Sequence, residues 1–116
     1  MSFAISGPVG AVLSSALDGI AQRQRVIADN IANVDTPGYR ATSVDFETSL
    51  RAAIATGEPG ADLEPALLAT DTPVGANGNN VDLRKETMAA VQSQFQYQIR
   101  TRAVSDRFEL LKTVGQ

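Results

Sequence analysis

The chemistry open to this chain rests on carboxylates, hydroxyls, amides and bases without imidazole or thiol, because it contains no Cys and no His. That removes thiol and imidazole catalysis, disulfides and the usual zinc ligands. Glu58, Asp62, Glu64 and Asp71 lie near one another in sequence, as a general acid and base would need to. They sit in a stretch rich in Gly and Pro, however, where carboxylates stay solvated. Ser14 and Ser15 have no His partner, so a Ser-His-Asp triad is excluded. Asp71 to Asp82 resembles a calcium loop in outline, but Pro73 stands at the third position, where an oxygen ligand is needed. No Gly-rich turn is followed by Lys-Ser or Lys-Thr, so there is no phosphate loop. The sequence offers no catalytic site, no metal site and no cofactor site.

One string carries more specific chemistry: Asn30-Ile31-Ala32-Asn33-Val34-Asp35-Thr36-Pro37-Gly38-Tyr39-Arg40. Pro disfavours helical geometry at the residue before it, so a helix should stop before Thr36-Pro37-Gly38. Pro37 and Gly38 suit the two central positions of a type II turn, where Gly supplies a positive φ. Asn33 or Asp35 can terminate the helix. Asn30 and Asn33 can hydrogen-bond backbone groups of the loop that follows. Tyr39 offers a rigid aromatic with a hydroxyl. Asn30, Asn33 and Tyr39 serve either a neighbouring surface or the chain's own loop, and the residues alone leave both open.

Two long helices must position that string. Leu13, Leu17, Ile20, Ile27, Ile31 and Val34, with Gln24 completing the series, recur in alternating steps of four and three. This is a heptad seam, the pattern of a coiled-coil helix, spanning about Val9 to Val34. Ala16, Ala21, Ala28 and Ala32 widen the stripe with small residues. Gly19 is read as a weak point, costing about 1 kcal/mol relative to Ala. A second long helix runs from about Asp82, a plausible N-cap, to Val114. Its apolar line is Met88, Val91, Phe95, Ile99, Val104, Phe108 and Leu111. The five-residue step from Ile99 to Val104 reads as a stutter in the heptad, bridged by Ala103. A shorter helix is expected from about Val44 to Thr56, capped by Ser43 or Asp45, with Phe46, Leu50 and Ile54 on one face. Residues 57–80 form a turn-rich connector that Leu63, Leu67 and Leu68 could dock onto a helix.

Aromatic residues make up only 5% of the chain, which favours a thin, elongated packing over a globular one. The fold class expected is therefore all-α: an elongated antiparallel hairpin or coiled coil of the terminal helices, with a short middle helix and a connector. Residues 1–40, 41–80 and 81–116 form the successive parts of one structural domain. The net charge of −3 is unevenly placed. Residues 41–80 sum to −5 and residues 81–116 to +2. There is no basic run of the kind that marks a nucleic-acid interface, and no polybasic patch for an anionic membrane. No apolar run approaches the roughly 18–20 residues that span a bilayer. Residues 1–8 lack the basic and apolar regions of a signal peptide, so export is expected to proceed without a cleaved signal.

The string from Asn30 to Arg40 resembles the N-terminal motif of the flagellar axial proteins of rod and hook, in which "NIAN" is followed by "TPGY". Members of that family also carry a heptad-bearing helix at each end, as this chain does over residues 9–56 and 80–114. Within the family the chain is similar to the proximal-rod branch. It is short, its motif runs on without interruption to Val44-Asp45-Phe46, and Asn79-Asn80-Val81-Asp82-Leu83 resembles that branch's lead into the last helix. Thr87 departs from the pattern, which places an apolar residue after Glu86.

The resemblance implies a structural subunit that self-assembles with homologous rod subunits, including copies of itself and FlgC, and with the rod-base adaptor FliE. It implies export through the flagellar type III apparatus and a place in the periplasmic rod. Asn30, Ile31, Ala32, Asn33, Thr36, Pro37, Gly38 and Tyr39 would form the family motif, and the two apolar lines the assembly seam. Three other readings stay open from the residues: another rod subunit such as FlgC, a coiled-coil adaptor outside the flagellum, and an enzyme using the acidic connector.

Overall fold

A computed structural model describes residues 7–57 and 65–114; Leu63 and the side chain of Phe108 lie outside the described residues. Helix α1 spans Gly7–Ala32, strand β1 Thr42–Asp45, helix α2 Glu47–Ala55, strand β2 Ala66–Ala69 and helix α3 Leu83–Val114. The molecule is elongated, with principal extents of 63 × 27 × 17 Å. Helices α1 and α3 lie side by side and antiparallel. Arg23 meets Gln96 at 3.3 Å, Gln24 meets Gln94 at 3.4 Å and Asn30 meets Glu86 at 2.9 Å, so rising numbers on one helix oppose falling numbers on the other.

The fold is mostly helical but not all-α. β1 and β2 pair antiparallel, with Thr42 opposite Ala69 and Asp45 opposite Ala66. β1 takes Val44 and Asp45, the first residues of the expected middle helix, which accordingly begins at Glu47 rather than near Val44. The physical reason is local. Asp45 accepts from the Thr48 N–H at 3.1 Å and the Thr48 hydroxyl at 2.8 Å, tying the end of β1 to the first turn of α2, whose N-cap is Phe46. Residues before that cap are left free to extend. β2 comes from the stretch read as connector. Leu67 and Leu68 do not dock on a helix but stay 58% and 47% exposed.

The core is small. Ala16, Ile20, Val44 and Phe46 form it, with Val26 and Leu50 against its edge. Gly19 has a reason beyond helix propensity. A Cβ at that position would fall into the Phe46 ring, 2.6 Å from Cδ1. The missing side chain lets the ring lie on the backbone of α1, so the weak point of the helix is where the next element packs.

The apolar line expected on α3 also divides. Met88, Val91, Phe95 and Ile99 are exposed, whereas Glu86 and Ser93 are buried. At 3.6 residues per turn, the first four fall within about 80° of one another, on the side of α3 opposite Ser93. The five-residue step to Val104 turns the helix by about 140°, and with it the line changes faces. Val104 lies on the Ser93 side and is half-buried. The interruption is therefore a change of face, not a stutter within one continuous seam.

Candidate functional site

The end of α1, the loop after it and the start of α3 meet around one buried side chain, Asn30. Its Nδ2 donates to the Thr42 carbonyl at 2.7 Å and to Glu86 Oε1 at 2.9 Å. Its Oδ1 accepts from the Tyr39 hydroxyl at 3.2 Å and the Thr42 N–H at 3.3 Å. Both donors and both acceptor positions of one amide are thereby used. Asn30 ties α1 to the turn, to β1 and to α3 at once. Burial, and then the nearby carboxylates of Asp29 and Glu86, raises the Tyr39 pKa, keeping the hydroxyl protonated as a donor.

The turn itself is closed by Tyr39 N–H to the Thr36 carbonyl at 3.2 Å. Pro37 and Gly38 sit between, and Gly38 has φ of +76°. Asn33 closes the helix end, donating from Nδ2 to the Asp29 carbonyl at 2.8 Å and accepting from the Thr36 hydroxyl at 3.0 Å. Asn79 then reaches over the turn. Its Nδ2 donates to the carbonyls of Asn33 at 2.8 Å and Thr36 at 2.7 Å, and its Oδ1 accepts from Val81 N–H at 2.7 Å. Asn80 is the matching clamp on the strand side, accepting from Ala41 N–H at 2.6 Å. Gly38 N–H donates to the Asn77 carbonyl at 2.9 Å. Asn30, Asn33 and Tyr39 thus all bond within the chain. Asn79 and Asn80, which the sequence offers only as a lead into the last helix, are parts of the same knot. Ile31 is half-buried, and Ala32, Thr36 and Pro37 are exposed.

A second junction lies about two helix turns back along α1. Arg23 grips Glu47 with two nitrogens, at 2.6 and 2.8 Å, and donates to the Val44 carbonyl at 2.7 Å. Its guanidinium also lies 4.8 Å from the centroid of the Phe46 ring. The bonds from Arg23 hold the Glu47 carboxyl below its ordinary range despite partial burial. No motif in the sequence marks Arg23; its only signal is a base placed among seam residues. Asn30 and Arg23 together satisfy backbone groups of Thr42 and Val44 on β1.

The two apolar lines have different fates. On α1, Ile20 and Ile27 are buried and Leu13, Leu17 and Ile31 half-buried, as is Val34 in the turn just beyond the helix. On α3, Met88, Val91, Phe95 and Ile99 are 58, 59, 63 and 60% exposed, and Leu111 is 37% exposed. Among the described residues there is no cluster of carboxylates that could hold a metal ion, and no helix is long and apolar enough to cross a membrane.

Comparison with known proteins matches this sequence to one family. The family model described as "Flagella basal body rod protein" matches residues 11–40, which hold most of α1 and the whole turn. Three relatives bearing the name flagellar basal body rod protein FlgB extend the likeness along the chain. The Bacillus subtilis protein is 37% identical over 88% of both chains. The Escherichia coli protein is 33% identical over 87% of this chain and 88% of its own. The Borreliella burgdorferi protein is 30% identical over 84% of this chain and 88% of its own. The likeness to these relatives extends over 84–88% of the chain, well beyond residues 11–40, and the chain belongs to the FlgB family of flagellar basal body rod proteins.

Proposed function

We propose that this chain is a structural subunit of the proximal rod of the bacterial flagellar basal body. It packs with copies of itself, with FlgC and other rod proteins, and with the rod-base adaptor FliE. The observation that carries the reading is the outward line on α3. Met88, Val91, Phe95 and Ile99 leave a row of large apolar side chains in water on a 32-residue helix. A helix with one apolar face uncovered is completed by a neighbour. In a rod the neighbour is another axial subunit, bound through contacts that repeat along the assembly without closing on themselves.

The remaining seam residues have a complementary part. Leu13, Leu17, Ile20, Ile27, Ile31 and Val34 serve the subunit's own packing. Val104 and Leu111 share the inward side of α3 by helix geometry, and Phe108 stands between them in sequence. The turn formed by Thr36, Pro37, Gly38 and Tyr39 fixes where the chain leaves α1. That keeps the two long helices in one stiff unit, which suits a part that passes torque through the periplasm. Export through the flagellar type III apparatus, without a cleaved signal, completes the reading.

Imaging isolated basal bodies at a resolution that allows this chain to be fitted tests it. The expected result is rod subunits whose α3 line lies against a neighbouring axial helix. Rods of normal length and composition in cells lacking this chain would overturn it.

A further inference from the structure

The side of α3 turned toward α1 is the less suitable one for burial. Between Leu83 and Ile99 its buried residues are Glu86 and Ser93, and its half-buried ones are Ala89 and Ala90. The Ser93 hydroxyl is 1% exposed at the residue level and has no hydrogen-bond partner among the described residues. A cavity of about 340 Å³ opens beside Ala89, lined in part by Val26, Ile27, Val44 and Leu68. The large side chains that would fill such a space, Met88 and Val91, point the other way. Hydrophobic burial alone would roll α3 about its axis and lay its apolar line on α1. The orphaned hydroxyl and the cavity mark the orientation that is held instead.

We infer that the Asn30–Glu86 pair is an orientation lock, which keeps the apolar line of α3 turned outward and open to neighbouring subunits. Glu86 is 5% exposed, and its Oε1 receives the Asn30 Nδ2 donor at 2.9 Å. Rolling α3 would carry the carboxylate away from this donor and leave Asn30 with an unmatched N–H. A buried polar pair of this kind selects one arrangement against apolar alternatives, at a cost in stability. Among the described residues, the bonds from Arg23 to Gln96 and from Gln24 to Gln94 also join the helices, but both are exposed and long at 3.3 and 3.4 Å, whereas the bond to Glu86 is buried and shorter. The clamps at Asn79 and Asn80 act on the segment before α3 and not on the helix itself. The inference rests on the rod-subunit reading for its purpose, but not for its geometry.

The test compares Glu86→Gln, which keeps an acceptor for Asn30, with Glu86→Met, which keeps the bulk and removes the acceptor. Both are combined with Gln24→Cys and Gln94→Cys, a reporter made clean by the absence of native cysteines. The purified chain is oxidised and the intrachain disulfide is quantified beside the helical circular dichroism signal. The reporter background and Glu86→Gln should cross-link to similar extents. Glu86→Met should lose cross-linking at least fivefold with helical signal unchanged. Equal cross-linking in Glu86→Met, or a loss matched by lost helix, overturns the lock, as does failure of the reporter background to cross-link. In cells, Glu86→Met should also fall severalfold in basal-body incorporation while Glu86→Gln does not. If the wild-type chain is absent from basal bodies but the cross-linking pattern holds, the rod reading fails and the lock stands.

Discussion

The two long helices carry similar apolar lines and end in opposite situations. On α1, the line is at least half covered by the chain's own turn, strands and α3. On α3, the first four large residues of the line are all more than half exposed. A heptad period states that a helix has a face to cover; it does not state who covers it. Here α1 is the helix around which the subunit folds. β1, α2 and α3 all pack on it or bond to it through Asn30, Arg23 and the Phe46 ring. α3 is attached by its small and polar side, leaving its apolar side as surface.

The comparison breaks most easily at Asn30. Asn30→Leu removes all four bonds of the amide and leaves the buried Glu86 carboxylate without that donor. A buried polar group left without its partner costs about 1–3 kcal/mol, and more when it is charged. Urea denaturation of the purified variant should show a loss of that order. A loss under about 1 kcal/mol would mean that α3 does not depend on the junction with α1.

Gly19→Ala sharpens the same side of the comparison. In an ordinary helix interior the change stabilises by about 1 kcal/mol. Here the new Cβ meets the Phe46 ring, and relieving such overpacking costs about 1–3 kcal/mol. Thermal unfolding should therefore show a lower midpoint. A higher midpoint would place Phe46 away from α1 and dissolve the small core.

Gly38→Val acts on the turn instead of the core. Space is open around Gly38, with nothing within 4 Å of an added Cβ, so only its φ of +76° resists the change. A β-branched residue held there costs about 1–3 kcal/mol. The loss should appear in the unfolding midpoint and in reduced rod yield in cells. An unchanged midpoint would show that the turn relaxes to another form.

Acid should loosen the Arg23 junction more gently. The folded pKa of Glu47 lies below its ordinary value of 4.5, through the bonds from Arg23. A depressed carboxylate contributes stability that is present above the ordinary value and lost as pH falls through the lower folded one. The Glu47 side chain is 44% exposed, so solvent screening holds the contribution under about 1 kcal/mol. Asp45 is lowered in the same direction by its bonds from Thr48. The wild-type midpoint should fall on acidification below pH of about 5, and Glu47→Gln should flatten part of that slope. Identical pH profiles would remove Arg23–Glu47 as a source of stability.

How legible this was in sequence depended on range. The α1 seam, the Pro37–Gly38 turn and the start of α3 after Asp82 are set by neighbours a few residues apart. The strand pair is not. Thr42–Asp45 precedes a capped helix and Ala66–Ala69 is a short apolar run, so neither has the alternation that marks a strand. Asn30 and Arg23 hold β1 from α1, and Asn80, bonded to both Ala41 and Thr70, spans the end of the pair. Glu86 is as remote, 56 residues from Asn30. In sequence it is one more acidic residue in the first turn of a helix. The direction of the α3 line was hidden for a different reason. Period alone does not distinguish the faces, since a five-residue step reads as a stutter although about 140° of rotation separates the two halves.

The smallest effect on the isolated chain should come from Phe95→Asp, which is also the most direct test of the α3 side. Phe95 is 63% exposed. Replacing a mostly exposed side chain away from caps and buried bonds usually changes stability by less than about 0.5 kcal/mol. The urea midpoint of the purified chain should therefore stay near that of wild type. Assembly should respond differently, because a neighbour that covers this face would have to bury the new carboxylate without a partner. Incorporation into basal bodies should fall sharply in cells while export of the variant continues. Ile20→Asp gives the opposite order, since Ile20 is 1% exposed in the core and its loss acts on the fold first. A Phe95→Asp chain that unfolds like Ile20→Asp would mean that the α3 line is buried within the subunit. One that folds and assembles normally would mean that no neighbour covers this part of the helix, leaving α1 as the helix that matters to the rod.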